Sequence, residues 1–174
     1  GDELLLASEL VGFGRLASDL IAYRRSAAGV QRPYNVGSAR VLGLEAVLRA
    51  RILGVLWIDG SLTALDPRDT SDDRTLTNDV VPFFARLTAT PSVALELQDL
   101  VAAIGSDHAR LGAGLIYRSA RIADPAGLIV LPSQVTFDLD VALGFLRRAL
   151  TVRARLTNII DDRATDLVGY PLPG

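Results

Sequence analysis

Apolar residues recur along most of the chain at spacings that fit one face of a helix. Asp2 or Ser8 can open a first helix through Tyr23, with Leu6, Leu10, Phe13, Leu16, Ala17 and Leu20 as its apolar stripe, ended by Gly29 and Pro33. Ser38 can cap a second from Ala39 to about Trp57, turning Leu42, Leu44, Val47, Leu48, Ile52 and Val55 inward. The polar stretch Asp59 to Thr75 reads as a connection. A third helix follows Asn78 with Pro82 in its first turn, where proline is tolerated, and a fourth opens at Pro91 and Ser92 and runs to about Ile104. Leu111 to Val130 suits either a helix kinked at Asp124-Pro125 or a hairpin, and the helix is preferred. The last long helix spans about Asp138 to Asp162. The pattern predicts an all-α fold, an antiparallel helical bundle in one domain over residues 1–174.

Composition changes this picture by exclusion. All 18 basic residues are Arg, which removes a Schiff-base lysine and a P-loop lysine. Cysteine is absent, so there is no disulfide, thiolate zinc site or thiol nucleophile. A net charge of -2 gives no field that would draw nucleic acid. A chain beginning at Gly1 without Met reads as trimmed, with no signal peptide in what remains. Hydrophobic residues make up 49% of the chain, yet no apolar run is long enough for a transmembrane helix. Surplus apolar surface then calls for a cover, most simply another protein or a second copy.

Candidate chemistry concentrates near the C-terminus. On a helix, Asn158, Asp162 and Asp166 share one face and offer hard oxygen ligands of the kind Mg²⁺ prefers. Aspartates followed by Gly169 and Pro171 equally describe a solvated helix end. A second acidic group, Asp66, Asp69, Asp72 and Asp73, lies in a turn-rich loop with Arg68 and Arg74 at hand to neutralise it. His108 is the single histidine and has no nucleophile that the sequence places beside it. The pairs Arg24-Arg25 and Arg147-Arg148 fit phosphate contacts or the wet face of a helix.

Four segments in order also carry a family resemblance. The tail from Leu156 to Pro173 resembles the second aspartate-rich region of squalene and phytoene synthases; Ile116 to Pro132, Leu97 to Asp107, and Tyr34 to Val41 with Arg49 to Trp57 are similar to upstream helices of that family. The nearest likeness is to its phytoene-synthase-like branch, which includes a mitochondrial complex I assembly factor. The resemblance implies an isoprenoid synthase fold and Mg²⁺ on Asn158, Asp162 and Asp166. The chain departs from the family where a first aspartate cluster should stand, because Ile21 to Val30 and Tyr34 to Val41 hold no carboxylate. Asp161 stands where the family usually has Arg, and the chain stops before the family's last helices.

The reading that follows is a non-catalytic member with a vestigial metal site, serving as a structural or assembly component bound to other protein subunits or to itself. It has no cofactor and no transmembrane segment, and it associates at most with a membrane complex. Its expected place is the mitochondrion, with a bacterial cytoplasm as the alternative. A Mg²⁺-dependent prenyl-diphosphate transferase, with a first acidic wall from Asp66 to Asp73, is the enzymatic alternative, and a self-assembling helical scaffold or coat is the other.

Overall fold

The computed structural model describes residues 4–25, 29–71, 79–98, 104–124, 126–147, 149–163, 165–167 and 170–171. Among them there is no α-helix. Twelve strands replace the expected bundle: β1 (Leu5–Arg25), β2 (Gln31–Ile52), β3 (Leu56–Asp69), β4 (Leu87–Ala89), β5 (Ser92–Leu97), β6 (His108–Arg118), β7 (Arg121–Ile122), β8 (Val130–Leu131), β9 (Gln134–Phe145), β10 (Leu150–Leu156), β11 (Thr165–Leu167) and β12 (Tyr170–Pro171). The all-α assignment, and with it the shortened isoprenoid synthase fold, is therefore overturned. The first helix is β1, the second is β2 turning into β3, and the last is β9, a tight turn and β10. The supposed connection from Asp59 is mostly the body of β3. In Leu111–Val130, the hairpin alternative lies nearer the outcome, since β6 is followed by the β7–β8 ribbon.

Eight strands form one antiparallel sheet in the order β1-β2-β3-β4-β6-β9-β10, with β5 between β3 and β6. β4 and β5 are two parts of one ribbon, because both keep a single register with β3 on one side and β6 on the other. Pro91, which has no N–H to donate, stands at the break. Apart from the small β7–β8 and β11–β12 ribbons, each strand lies beside its neighbour in sequence, so the sheet is an up-and-down meander. β1 and β10 are its two edges.

The connections differ at the two ends. β2 and β3 are joined by a tight turn closed by Val55 N–H to the Ile52 carbonyl, 3.1 Å. Its central residues Leu53 and Gly54 both have positive φ, 53° and 69°, the type I′ geometry that matches strand twist. β9 and β10 are joined by the short turn at Leu146–Ala149. The connection of residues 98–107 between β5 and β6 lies at this end too; at the other end lie the two longest connections, residues 70–86 from β3 to β4 and the β7–β8 excursion between β6 and β9. There Asp124 accepts hydrogen bonds from the N–H groups of Ala126 and Ile129, fixing the loop.

A sheet ordinarily hides one face under a second layer. Among the described residues the buried apolar side chains are few and mostly small, such as Ala39, Ala94 and Ala109, with Pro67, Val81 and Leu131 gathered at the long-loop end. Large apolar side chains stay open instead, Leu10 at 69% and Leu156 at 62% exposure among them.

Candidate functional site

Directly paired residues of antiparallel strands point to the same side of a sheet, so the registers sort every strand residue onto one of two faces. On the first face, one row across the sheet reads Leu6, Ala50, Ile58, Val93, Ala113, Leu139 and Leu156. The next reads Ile52, Leu56, Leu95, Leu111, Val141 and Ala154. Along β2 this face carries Leu42, Leu44, Ala46, Leu48, Ala50 and Ile52, and along β9 Val135, Phe137, Leu139, Val141, Leu143 and Phe145. Each run matches the roughly 9–11 residues that a tilted strand needs to cross a bilayer. Ser8 is the one hydroxyl within this band on β1, and Tyr117 closes the band on β6. A tyrosine there has the amphipathic character favoured at a membrane border.

The second face is polar. Rows on it read Arg51, Trp57, Ala94, Gly112, Asp140 and Arg155, then Arg49, Asp59, Ser92, Gly114 and Asp138. Opposite charges pair across neighbouring strands: Arg49 with Asp59 at 3.8 Å, Arg110 with Glu96 at 3.4 Å, and Arg155 with Asp138 at 2.7 Å. The Arg51 guanidinium lies 4.7 Å from the centre of the Trp57 ring opposite it. Gly112 and Gly114 leave space on this face. The Asp140 carboxylate occupies the position that a Cβ on Gly112 would take, and a polar pocket of about 270 Å³ opens among Asp59, Ser92, Arg110, Asp138, Asp140 and Arg155. On β1 and β2 the Phe13 ring covers Gly43 in the same manner.

The residues singled out from sequence land differently. Asn158 and Asp162 do meet, but in a turn beyond β10 rather than on a helix. Asn158 Oδ1 accepts the Asp162 N–H at 3.1 Å, Asn158 Nδ2 donates to the Asp162 carbonyl at 3.2 Å, and Asn158 has φ of 50°. Asp162 Oδ2 accepts the Val135 N–H and Asp138 Oδ1 accepts the Asn158 N–H, so these carboxylates pin the turn to β9. Asp166 lies in β11, and its side chain is outside the described residues. Among the described residues there is no group of three or more His, Cys, Asp or Glu side chains placed to hold a metal.

In the acidic stretch, Asp66 is bound by Arg68 and Arg86, and Asp69 Oδ1 accepts from Ser71. Asp72 and Asp73 lie outside the described residues, as do Arg148, Leu172 and Pro173. His108 stands at the start of β6 on the polar face, opposite Gly144. Helix-period reading missed the whole charged set on the polar face, Asp59, Glu96, Arg110, Asp138, Asp140 and Arg155. The alternation from Gln134 to Val141, resumed after Ala142, was the signal that could have found it.

Among the described residues no helix is long and apolar enough to cross a membrane. That says nothing of strands, which is where the apolar band lies. The family model for the beta-barrel of TonB dependent receptor-like proteins matches residues 6–159, most of the chain. Comparison with curated proteins gives no match. The family match overturns the squalene and phytoene synthase resemblance, and with it the assembly-component, prenyl-transferase and scaffold readings. It also moves the expected location from the mitochondrion or a bacterial cytoplasm to the bacterial outer membrane. The resemblance rested on short motifs read as helices, and every one of those segments contains strand. A meander of long antiparallel strands, an apolar band of spanning height on one face, ion pairs on the other and the family match agree: the chain belongs to the TonB-dependent-receptor-like β-barrel family.

Proposed function

We propose that the chain forms part of the wall of an outer-membrane barrel serving TonB-dependent uptake. Its apolar face meets lipid, and its charged face lines the interior along which a polar solute passes. The observation that carries this reading is the apolar run on one side of β9, Val135 through Phe145, interleaved with Gln134, Thr136, Asp138 and Asp140 on the other. A soluble sheet with that outward face would need a second layer, whereas a bilayer covers it without one. The short turns at Leu53-Gly54 and Leu146–Ala149 support a periplasmic assignment of their end, and the two longest connections, β3 to β4 and β6 to β9, support the outside for the other. The partner assigned is then TonB, on which transport by the family depends, in place of a respiratory subunit.

The absence of cysteine gives a clean background for testing this. Single substitutions Leu139→Cys, Asp140→Cys, Val141→Cys and Ala142→Cys, each carrying an environment-sensitive dye, report polarity residue by residue in the membrane-inserted protein. The expected result alternates: 139 and 141 are quenched from lipid, 140 and 142 by an aqueous quencher. Uniform quenching by either agent along β9 overturns the reading.

A further inference from the structure

The apolar band ends abruptly on its outward face, and at one place it ends in two arginines. Followed from the tight turn, the outward positions of β2 run Ile52, Ala50, Leu48, Ala46, Leu44, Leu42 and then Arg40. Those of β3 run Leu56, Ile58, Gly60, Leu62, Ala64, Asp66 and then Arg68. The register places Arg40 directly opposite Arg68. Like charges facing each other across an antiparallel pair repel, so something must compensate.

Carboxylates compensate one of the two. Arg68 Nε reaches Asp66 Oδ1 at 2.7 Å and its Nη1 reaches Asp79 Oδ1 at 2.7 Å. Asp66 is shared with Arg86 Nη2 at 3.4 Å. Among the described residues the patch therefore holds three guanidinium groups against two carboxylates, and Arg40 is exposed beside them. Asp69, next along β3, faces the other side and is engaged by Ser71. The opposite rim is different: outward strand positions there are Leu97, Leu143, Phe145, Leu150 and Val152, with no charge among them.

We infer that Arg40, with Arg68 held beside it, seats the phosphate of an anionic lipid in the leaflet at the long-loop end. The inference rests on the membrane-wall reading. A guanidinium fork matches phosphate oxygens, and a phosphate between the two side chains would relieve the repulsion that Asp66 and Asp79 relieve only for Arg68. A lipid fits better than free phosphate because the surface just below is the apolar run Leu42, Leu44 and Leu62, along which acyl chains would lie. Arg68 positions the seat, and Arg40 is the contact.

The test uses the inserted protein in phosphatidylcholine bilayers containing trace spin-labelled phosphatidic acid or spin-labelled phosphatidylcholine, reading the motionally restricted fraction of each by electron spin resonance. The expected result is a several-fold preference for phosphatidic acid that falls toward unity in Arg40→Gln, is largely kept in Arg40→Lys, and survives added inorganic phosphate. An equal restricted fraction of phosphatidylcholine in wild type and Arg40→Gln shows that the variant still inserts. Equal restriction of both lipids by the wild type, or a preference unchanged in Arg40→Gln, overturns the inference while leaving the membrane wall standing. Loss of the preference on adding inorganic phosphate also overturns it, because the seat would then be for the free ion. Absence of any restricted lipid sinks the membrane wall itself.

Discussion

Leu139→Arg separates a lipid-facing wall from a water-facing sheet by magnitude alone. Leu139 lies near the middle of the outward run on β9, between Ala113 of β6 and Leu156 of β10, and is 37% exposed. An arginine on the lipid face of a barrel costs about 2–4 kcal/mol at the bilayer midplane, falling to about 0–1 kcal/mol near the interface. If water bathed this face, an exposed substitution without buried partners would change stability by only about 0.5 kcal/mol in either direction. The first range corresponds to a roughly 30- to 1,000-fold change in the folding equilibrium, the second to about twofold. Val135→Arg, at the end of the same run, should cost about 0–1 kcal/mol, and Thr136→Arg, one residue further on and facing inward, should fall in the small class. Reversible denaturant titration of the protein in vesicles, followed by the fluorescence of its single tryptophan, Trp57, reads all three against wild type. Equal costs at 135, 136 and 139, or a cost at 139 below about 1 kcal/mol, would refute the assignment of this face to lipid.

The turn residue Leu53 sits at positive φ beside Gly54, so Leu53→Asn, which creates the Asn-Gly pair favoured in type I′ turns, should stabilise the protein by up to about 1 kcal/mol in the same titration. Gly43→Ala places a Cβ where the Phe13 ring now lies and should cost about 1–3 kcal/mol, whereas Gly112→Ala meets only the carboxylate end of Asp140, which can swing away, and should cost less; thermal unfolding ranks the two. The buried side chains Arg121 and Gln134 both donate to the Thr165 carbonyl, at 3.0 and 2.8 Å. Arg121→Ala should release the Thr165–Leu167 strand, costing about 1.5–3 kcal/mol for a charged hydrogen bond and giving faster protease cleavage after Arg163 than in wild type.

What the sequence offered and what it concealed have the same physical origin. Along β9, apolar and polar residues alternate without a break from Gln134 to Gly144 but for Ala142, and β10 repeats the pattern with Thr151, Arg153 and Arg155 between apolar neighbours. These two strands were legible at period two. β1 was not, because its inward positions Leu5, Ala7, Val11 and Phe13 are themselves apolar, so a helical stripe could be drawn through Leu6, Leu10 and Leu16 on one face and Phe13 and Ala17 on the other. The heavy use of Leu, Ala and Arg, all strong helix formers, then favoured the wrong period. Against it stood the glycines at 12, 14, 43, 60, 112 and 114, now in strand interiors, which would each weaken a helix. From sequence, the surplus apolar surface is expected to meet another protein or a second copy. The cover proposed is lipid, which requires no spanning helix, since a spanning strand needs only every second residue apolar. The site residues failed for a related reason: Asn158 and Asp162 are brought together by a turn across the same four-residue separation that a helix would give.

β1 and β2, 21 and 22 residues long, are about twice what crossing a bilayer requires. From Leu42 the paired strands continue to Arg25 and Gln31, so the hairpin stands out from the rim like a mast, on the order of 30 Å long at about 3.3 Å per residue. Backbone ladder bonds make such a mast stiff, with one exception. The ladder skips Asp19, whose φ of 56° departs from extended geometry, so bending concentrates there, two positions beyond the last pairing of β2 with β3 at Ala39. A force or a bound particle at the tip would then act through a lever pivoting at Asp19, tilting the upper hairpin while the wall below keeps its register.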